Sequence, residues 1–275
     1  MNELRAAIDR GAVGDRLWLY SNYHCNLYCG YCLTESSPAV QRRTLSATRM
    51  IALAHEAAKL GFASIGITGG EPFLLPHMPE TLAWIADCLP VIVLSNGTLL
   101  TDKLVTRLAP LASLPVTVQV SLDCSDAERN DARRADGNFA KVLAAITRLQ
   151  AIGVHVRIAT TGVPDNESER ARLCALHEEL GVSHDDHVIR PVVRRGRARA
   201  DEAAVPTSQD NLPPELTITA EGAFWSPFAP TVADGRTDTD LLICRTTTPL
   251  RRPVEELLRL VEDRPPGNDA VLGIR

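Results

Sequence analysis

The sequence predicts an α/β fold built on a parallel sheet, followed by a small C-terminal appendix. Three observations carry that prediction. Short β-branched or apolar runs recur at residues 17–21, 63–68, 91–95, 116–122, 154–160 and 187–193, with amphipathic helical patterns between them. The apolar periodicity then lapses over 194–214 (RRGRARADEAAVPTSQDNLPP), which reads as a connector at a domain boundary. Finally, a 275-residue chain with 45% hydrophobic and 23% charged residues is large enough for one sizeable core plus an appendix. The organisation expected is a domain over 1–193, a linker over 194–214 and a small α+β unit over 215–275.

The first strand, 17–21, opens the alternation. Residues 46–60 then place Met50, Leu53, Ala54, Ala57 and Leu60 on one helical face, with Ser46 as N-cap and Gly61 as stop. The same spacing recurs in Phe139, Val142, Leu143, Ile146 and Leu149 before Gly153, and in Leu173, Leu176 and Leu180 before Gly181. Six β-α units follow from the alternation. Beyond the connector, residues 216–219 and 223–225 flank an Ala220-Glu221-Gly222 turn as a hairpin. Residues 241–244 form a further strand, 254–261 a helix, and Pro265 onward is expected to fray. This tail is too small for its own core and should pack on the main domain.

Continuous apolar strands imply burial on both faces, with right-handed crossovers placing helices outside an open sheet or a barrel. Periodicity does not choose between the two. Either way, reactive groups belong at the C-terminal strand ends.

A net charge of −5 argues against a surface built to coat nucleic acid or anionic lipid. The absence of an 18-residue apolar run and of a basic-then-apolar N-terminus argues for a cytoplasmic protein without a membrane partner. The seven cysteines are not laid out as a secreted disulfide scaffold, because three fall within eight residues and the others scatter.

Those three form Cys25-Asn26-Leu27-Tyr28-Cys29-Gly30-Tyr31-Cys32, in the loop after the first strand. Thiolates at C-x3-C-x2-C suit three corners of a [4Fe-4S] cube and leave the fourth iron open to chelate the amino and carboxylate groups of a small molecule. A structural zinc site using His24 or a distant fourth ligand is the alternative, although zinc loops usually pair cysteines as C-x2-C.

The triad, with an aromatic residue before its last cysteine, resembles the signature of the radical S-adenosylmethionine (radical SAM) superfamily. Further segments resemble that family in order along the chain. Thr68-Gly69-Gly70-Glu71-Pro72 is similar to its GGE motif, Leu94-Ser95-Asn96-Gly97 to its SNG segment and Ser121-Leu122-Asp123 to its SLD segment. Arg157 on the fifth strand, Arg190-Pro191-Val192 on the sixth and Arg134 continue the likeness, which runs from Leu17 to about Arg199.

The resemblance implies a partial (β/α)6 barrel, one [4Fe-4S] cluster on Cys25, Cys29 and Cys32, and SAM contacts from Tyr31, Gly69, Gly70, Glu71, Ser95, Asn96, Ser121, Asp123, Arg134, Arg157 and Val192. In chemical terms, the glycines let the backbone approach a ligand closely and Glu71 suits a cationic amine. Ser121 and Asp123, two apart on one strand face, suit ribose hydroxyls.

Within the superfamily the motif order is similar to the group of the molybdenum-cofactor cyclase and the SPASM/Twitch peptide-modifying enzymes. Relatives there carry auxiliary-cluster cysteines after the barrel, whereas this tail has only Cys244, so it reads as a SPASM-like remnant without a cluster. Gly66 stands where the cyclase has a nucleotide-binding arginine, which argues against molybdopterin synthesis. About sixteen residues precede the first strand, too few for a recognition domain. A peptide substrate would therefore need a separate recognition protein or direct binding in the barrel.

The function implied is reductive SAM cleavage followed by hydrogen abstraction from a peptide or small natural product, with a flavodoxin- or ferredoxin-type electron donor. Cys244 is a candidate hydrogen-atom donor to the substrate radical, preferred over Cys124. An iron-sulfur electron carrier and a zinc-stabilised binding module are the competing classes.

Overall fold

The computed structural model describes residues 3–162, 167–233 and 235–262. After a short helix α1 (Glu3–Asp9), six strands alternate with helices: β1 (Arg16–Tyr20), α2 (Ala47–Leu60), β2 (Ser64–Thr68), α3 (Met78–Ala86), β3 (Val91–Ser95) and α4 (Asp102–Leu108). Then come β4 (Val116–Ser121), α5 (Ala127–Arg133), α6 (Asn138–Ala151), β5 (His155–Thr161), α7 (Glu167–Glu179) and β6 (His187–Arg190). Strands β1 to β6 pair in sequence order, all parallel, as a partial barrel. The Ser46 side chain caps α2 by accepting from the Arg49 N–H, as its sequence position implies.

Strand residues are buried on both faces, as the apolar runs imply, but the outward face is uniformly apolar while the inward face is mixed. Leu17 and Leu19, Ile65 and Ile67, Val91 and Val93, Val118 and Val120, and Val156 and Ile158 point outward into the core shared with α2 and α6. By alternation, Trp18, Tyr20, Thr68, Leu94, Gln119, Arg157, Thr161 and Arg190 point inward. The runs read as continuously apolar because small, threonine or glycine residues fill many inward places.

Gly66 occupies one of them. A Cβ there would lie 2.3 Å from the Trp18 ring, and Trp18 donates to the Glu215 carboxylate at 2.7 Å. A side chain at 66 has no room, which gives a physical reason for the departure from the cyclase pattern.

The tail extends the sheet. Strands β7 (Thr217–Ile218) and β8 (Ala223–Phe224) form the expected hairpin, β7 pairs parallel with β1, and β8 pairs with an edge strand reached later in the chain. A small hairpin, β9 (Val232–Ala233) with β10 (Arg236–Thr237), precedes that edge strand, β11 (Leu242–Cys244), and helix α8 (Arg251–Glu262) closes the described chain. The expected fraying beyond Pro265 falls outside the described residues. No helix among the described residues is long and apolar enough to cross a membrane.

Two consequences can be measured. Gly66→Ala should lower stability by about 1–3 kcal/mol through overpacking against Trp18, and Gly66→Arg should fail to give folded protein; thermal denaturation reads both. The second consequence concerns His177 and His187, whose rings meet edge to face at 4.1 Å between centroids. Burial, reinforced by charge on neighbouring groups, holds His177 down to about 3 and His187 down to about 4. These values lie below that of an unfolded histidine, so the unfolded chain binds more protons and stability falls as pH drops below about 6.5. His177→Leu should remove a component on the order of 2 kcal/mol from the stability lost between pH 7 and pH 5. An unchanged pH slope of the melting temperature in that variant would contradict the assignment.

Candidate functional site

The loop from β1 to α2 carries the three cysteines across the C-terminal end of the barrel. Its entry is zipped to the loop after β2: Gly70 N–H donates to the Asn22 carbonyl and to Asn22 Oδ1, both at 3.0 Å. Glu71 N–H donates to the His24 carbonyl at 3.1 Å, and Asn22 Nδ2 donates to the Glu71 carbonyl at 2.8 Å. A Cβ on Gly69 would sit 2.3 Å from the Asn22 carbonyl, and one on Gly70 2.0 Å from that of His24. The double glycine therefore admits the incoming cysteine loop, where the sequence suggested only the approach of a ligand.

The loop's far side is held by the segment that reads as a connector. The Arg197 side chain donates to the Cys29 carbonyl at 3.1 Å and to the Ser36 carbonyl, and lies 3.8 Å from the centroid of the exposed Tyr28 ring. Its backbone N–H donates to the Cys32 carbonyl at 3.1 Å. In the sequence this stretch is marked by its density of arginine and by the end of the likeness that runs to about Arg199.

A cavity of about 840 Å³, its open mouth included, lies under the loop. Cys25, Cys29 and Cys32 all line it, together with Tyr31, Gly69, Gly70, Asn96 and Arg134 from the sequence-derived set. Thr68, Leu94 and Arg190, which belong to the quoted segments but were given no contact, line it too, as do Tyr20, Thr161 and Phe228, which lie outside the motifs. Phe228 comes from the segment after β8, whose Pro227 carbonyl accepts from the Tyr20 hydroxyl at 2.5 Å.

The thiols have N–H and O–H neighbours suited to a thiolate. Leu27 N–H donates to Cys25 Sγ at 3.4 Å, Asn96 Nδ2 donates to it at 3.5 Å, and Thr34 Oγ1 lies 3.2 Å from Cys32 Sγ. Burial pushes the Cys25 thiol up to about 12, with the Glu71 charge adding to it, and burial also raises Cys29. A thiolate there would need a metal cation to offset its desolvation. Among the described residues no three His, Cys, Asp or Glu side chains are grouped as a single metal ion needs. A cube bound at separate corners makes no such demand, so the donor set fits an iron-sulfur cluster.

Several sequence-derived residues occupy other positions. Glu71 is fully buried behind the cavity wall, where its carboxylate accepts from Ser95 Oγ at 2.9 Å, Asn96 N–H at 2.8 Å and Phe73 N–H at 3.0 Å. Burial pushes it up to about 7 against those three donors. Both Glu71 and Ser95 thus set the shape of the loop after β3 and present no group to the cavity.

Asp123 is also closed in. Its carboxylate accepts from Arg134 Nε at 2.7 Å, Arg134 Nη2 at 3.1 Å, the Tyr31 hydroxyl at 2.5 Å and Thr161 N–H at 2.9 Å. Burial opposes its ionisation, but the Arg134 guanidinium and the other donors hold it below the usual carboxylate range. With every acceptor position used, Asp123 is not free for a ribose, and Ser121 is not on the cavity wall.

Arg157 faces inward near the opposite end of the barrel, 3.8 Å from Asp186, which precedes β6. Four residues of strand, about 13 Å, separate it from Thr161 at the cavity. Val192 lies past the end of β6, and its neighbours Pro191 and Val193 line the cavity in its place. Cys244 lies on edge strand β11, where its thiol donates to the Thr246 carbonyl at 3.1 Å, and it is absent from the cavity wall. The reason is that the tail strands extend the sheet sideways from β1, so β11 is carried away from the mouth. Cys124 is buried and likewise off the wall.

Comparison with known proteins gives consistent matches. A family model for the Radical SAM superfamily matches residues 19–176. An AdoMet-dependent heme synthase of Methanosarcina barkeri is 32% identical over 58% of this chain and 45% of its own length. Mycofactocin maturase MftC of Mycobacterium tuberculosis is 31% identical over 65% of this chain and 46% of its own. The chain thus spans less than half the length of either relative. Native anSMEcpe, solved with bound AdoMet and the Cp18Cys peptide, aligns over 88% of this chain and 79% of its own at a TM-score of 0.61 and 12% identity, a likeness of fold.

The Asp123–Arg134 pair gives this site its direct test. Arg134→Met leaves a buried carboxylate without its cation and should cost about 3–5 kcal/mol, and adding Asp123→Asn should recover part of that loss. Alkylation of Cys29 should be faster in Arg134→Met, because Tyr31 loses the anchor that Arg134 helps to fix. Additive losses in the double variant would contradict the coupling.

Proposed function

The chain belongs to the radical SAM superfamily, and on that premise we propose that Cys25, Cys29 and Cys32 hold a [4Fe-4S] cluster with S-adenosylmethionine beside it in the cavity. The proposed reaction removes a hydrogen atom from a peptide or small natural-product substrate. The observation that carries this reading is that the three thiols and Gly69-Gly70 share one cavity at the C-terminal strand ends. Bound there, the cluster would supply one electron to cleave SAM into methionine and a 5'-deoxyadenosyl radical.

The protein's own residues position and protect. Asn96 and the Leu27 N–H donate toward Cys25 Sγ, which stabilises thiolate charge. Arg197 fixes the Cys29 and Ser36 carbonyls and so the curvature of the loop. Leu94, Tyr20 and Phe228 give the cavity an apolar wall that limits water around a reactive intermediate. A peptide substrate is supported by the fold likeness to anSMEcpe, which was solved with a peptide bound. The maturase relative supports a biosynthetic modification. A flavodoxin- or ferredoxin-type donor and a cytoplasmic setting complete the proposal.

The test is anaerobic reconstitution followed by SAM and dithionite. We expect about four iron per chain and release of 5'-deoxyadenosine, both lost in Cys29→Ala. A stable cluster without SAM cleavage would favour an electron carrier, and a colourless zinc protein a binding module. Glu71→Ala should weaken SAM binding tenfold or more at unchanged iron content, because Ser95 and Asn96 lose their common acceptor. Equilibrium dialysis with labelled SAM measures this.

A further inference from the structure

Arginines crowd this end of the barrel, and nearly all are committed to partners. Arg133 donates to the Thr161 carbonyl, Arg134 to Asp123, Arg195 to Asp238 and Asp240, and Arg197 to two loop carbonyls. Arg190 differs. It ends β6 on the inward face, in register with Thr161, and lines both the main cavity and an adjoining narrow recess, in which a water-sized sphere has about 40 Å³ of room. Among the described residues its guanidinium makes no ion pair and no side-chain hydrogen bond.

Arg190 is partly exposed, and the space it faces is the cavity, so a cation without a protein counter-ion is presented to whatever enters there. A ligand that brings the missing charge gains a charge-assisted hydrogen bond in a site partly shielded from water. Asp123, the carboxylate whose charge reaches Arg190, is already saturated by Arg134, Tyr31 and Thr161. Around Arg190 the recess is walled by Trp18, Tyr20, Leu33, Leu94 and Phe228. One cation in an aromatic and aliphatic setting matches a monoanion with an apolar neighbour. A phosphate would call for further cations or a cradle of backbone N–H groups, whereas the planar fork of arginine pairs with a carboxylate in two parallel bonds.

We propose that Arg190 is the receptor for a carboxylate on the substrate, whose apolar portion lies against Tyr20, Leu94 and Phe228. The proposal rests on the reading that this cavity holds SAM beside the cluster. The same chemistry has a second source, the methionyl carboxylate of SAM itself, and the experiment separates the two.

Reconstituted wild type, Arg190→Gln and Arg190→Lys are titrated calorimetrically with 3-phenylpropionate and with its uncharged amide, with and without SAM. Iron content and SAM affinity are measured on the same samples. Wild type should bind the acid at least tenfold more tightly than the amide, Arg190→Gln should lose that preference, and Arg190→Lys should keep part of it. SAM affinity and iron content should be unchanged in both variants. Equal binding of acid and amide by wild type would overturn the proposal. So would a tenfold loss of SAM affinity in Arg190→Gln, which would assign the cation to the cofactor, or a loss of iron, which would assign it to the cluster. Failure of wild type to bind SAM or iron would instead count against the radical SAM reading, while the acid-amide comparison without SAM would still judge Arg190.

Discussion

The bidentate pairing of Asp123 with Arg134 is the interaction on which the mouth of this barrel depends. Asp123 follows β4, Arg134 caps the end of α5, Thr161 ends β5, and Tyr31 belongs to the cysteine loop; the carboxylate accepts from all three partners. Four segments that are far apart in sequence are thereby fixed at one buried point. Buried ion pairs are weak stabilisers compared with apolar packing, but once built they penalise every arrangement that leaves one charge alone. That penalty favours a single position of Tyr31, and with it of the turn between Cys29 and Cys32. Glu71 does the equivalent for the loop after β3, through Ser95 and Asn96.

The two buried carboxylates work in opposite electrostatic settings. Asp123 has a full counter-charge and ionises easily despite its burial. Glu71 has only dipoles for company, and burial lifts it toward neutrality. The acid beside Cys25 is therefore the one whose charge is least secure, and the one whose protonation would ease the crowding of negative charge near the thiols.

Local spacing made some of this site legible. The C-x3-C-x2-C loop, the double glycine and Asn96 reached the cavity because each depends on a short segment at a strand end, and strand ends can be read from periodicity. Roles that depend on distant partners were hidden. Nothing near Asp123 in sequence shows that Tyr31 and Arg134 will consume its oxygens. Arg157 has the right parity to face inward, but parity does not give height along the barrel, and Asp186 holds it at the far end. At β6 the inward residue is Arg190 and not Val192, because Pro191 ends the strand and alternation no longer applies. Phe228 reaches the wall through a short irregular segment with no periodicity to read. In the fold, the outward faces were recognisable as apolar, while the mixed inward face, with Trp18 and Leu94 beside Gln119 and Arg190, was not set apart because small residues such as Gly66 share it.

The clamp on the cysteine loop has a consequence for how the protein is made. Cys29 and the arginine that grips its carbonyl are 168 residues apart. At ordinary ribosomal speeds, on the order of 5–20 residues per second, the loop leaves the tunnel roughly ten to thirty seconds before its clamp does. During that interval the loop has its β1-side contacts and, once β5 is made, the Tyr31 anchor on Asp123, but the Cys29 and Ser36 carbonyls lack their clamp. The far side of the cysteine loop therefore reaches its final shape late, after the connector has emerged.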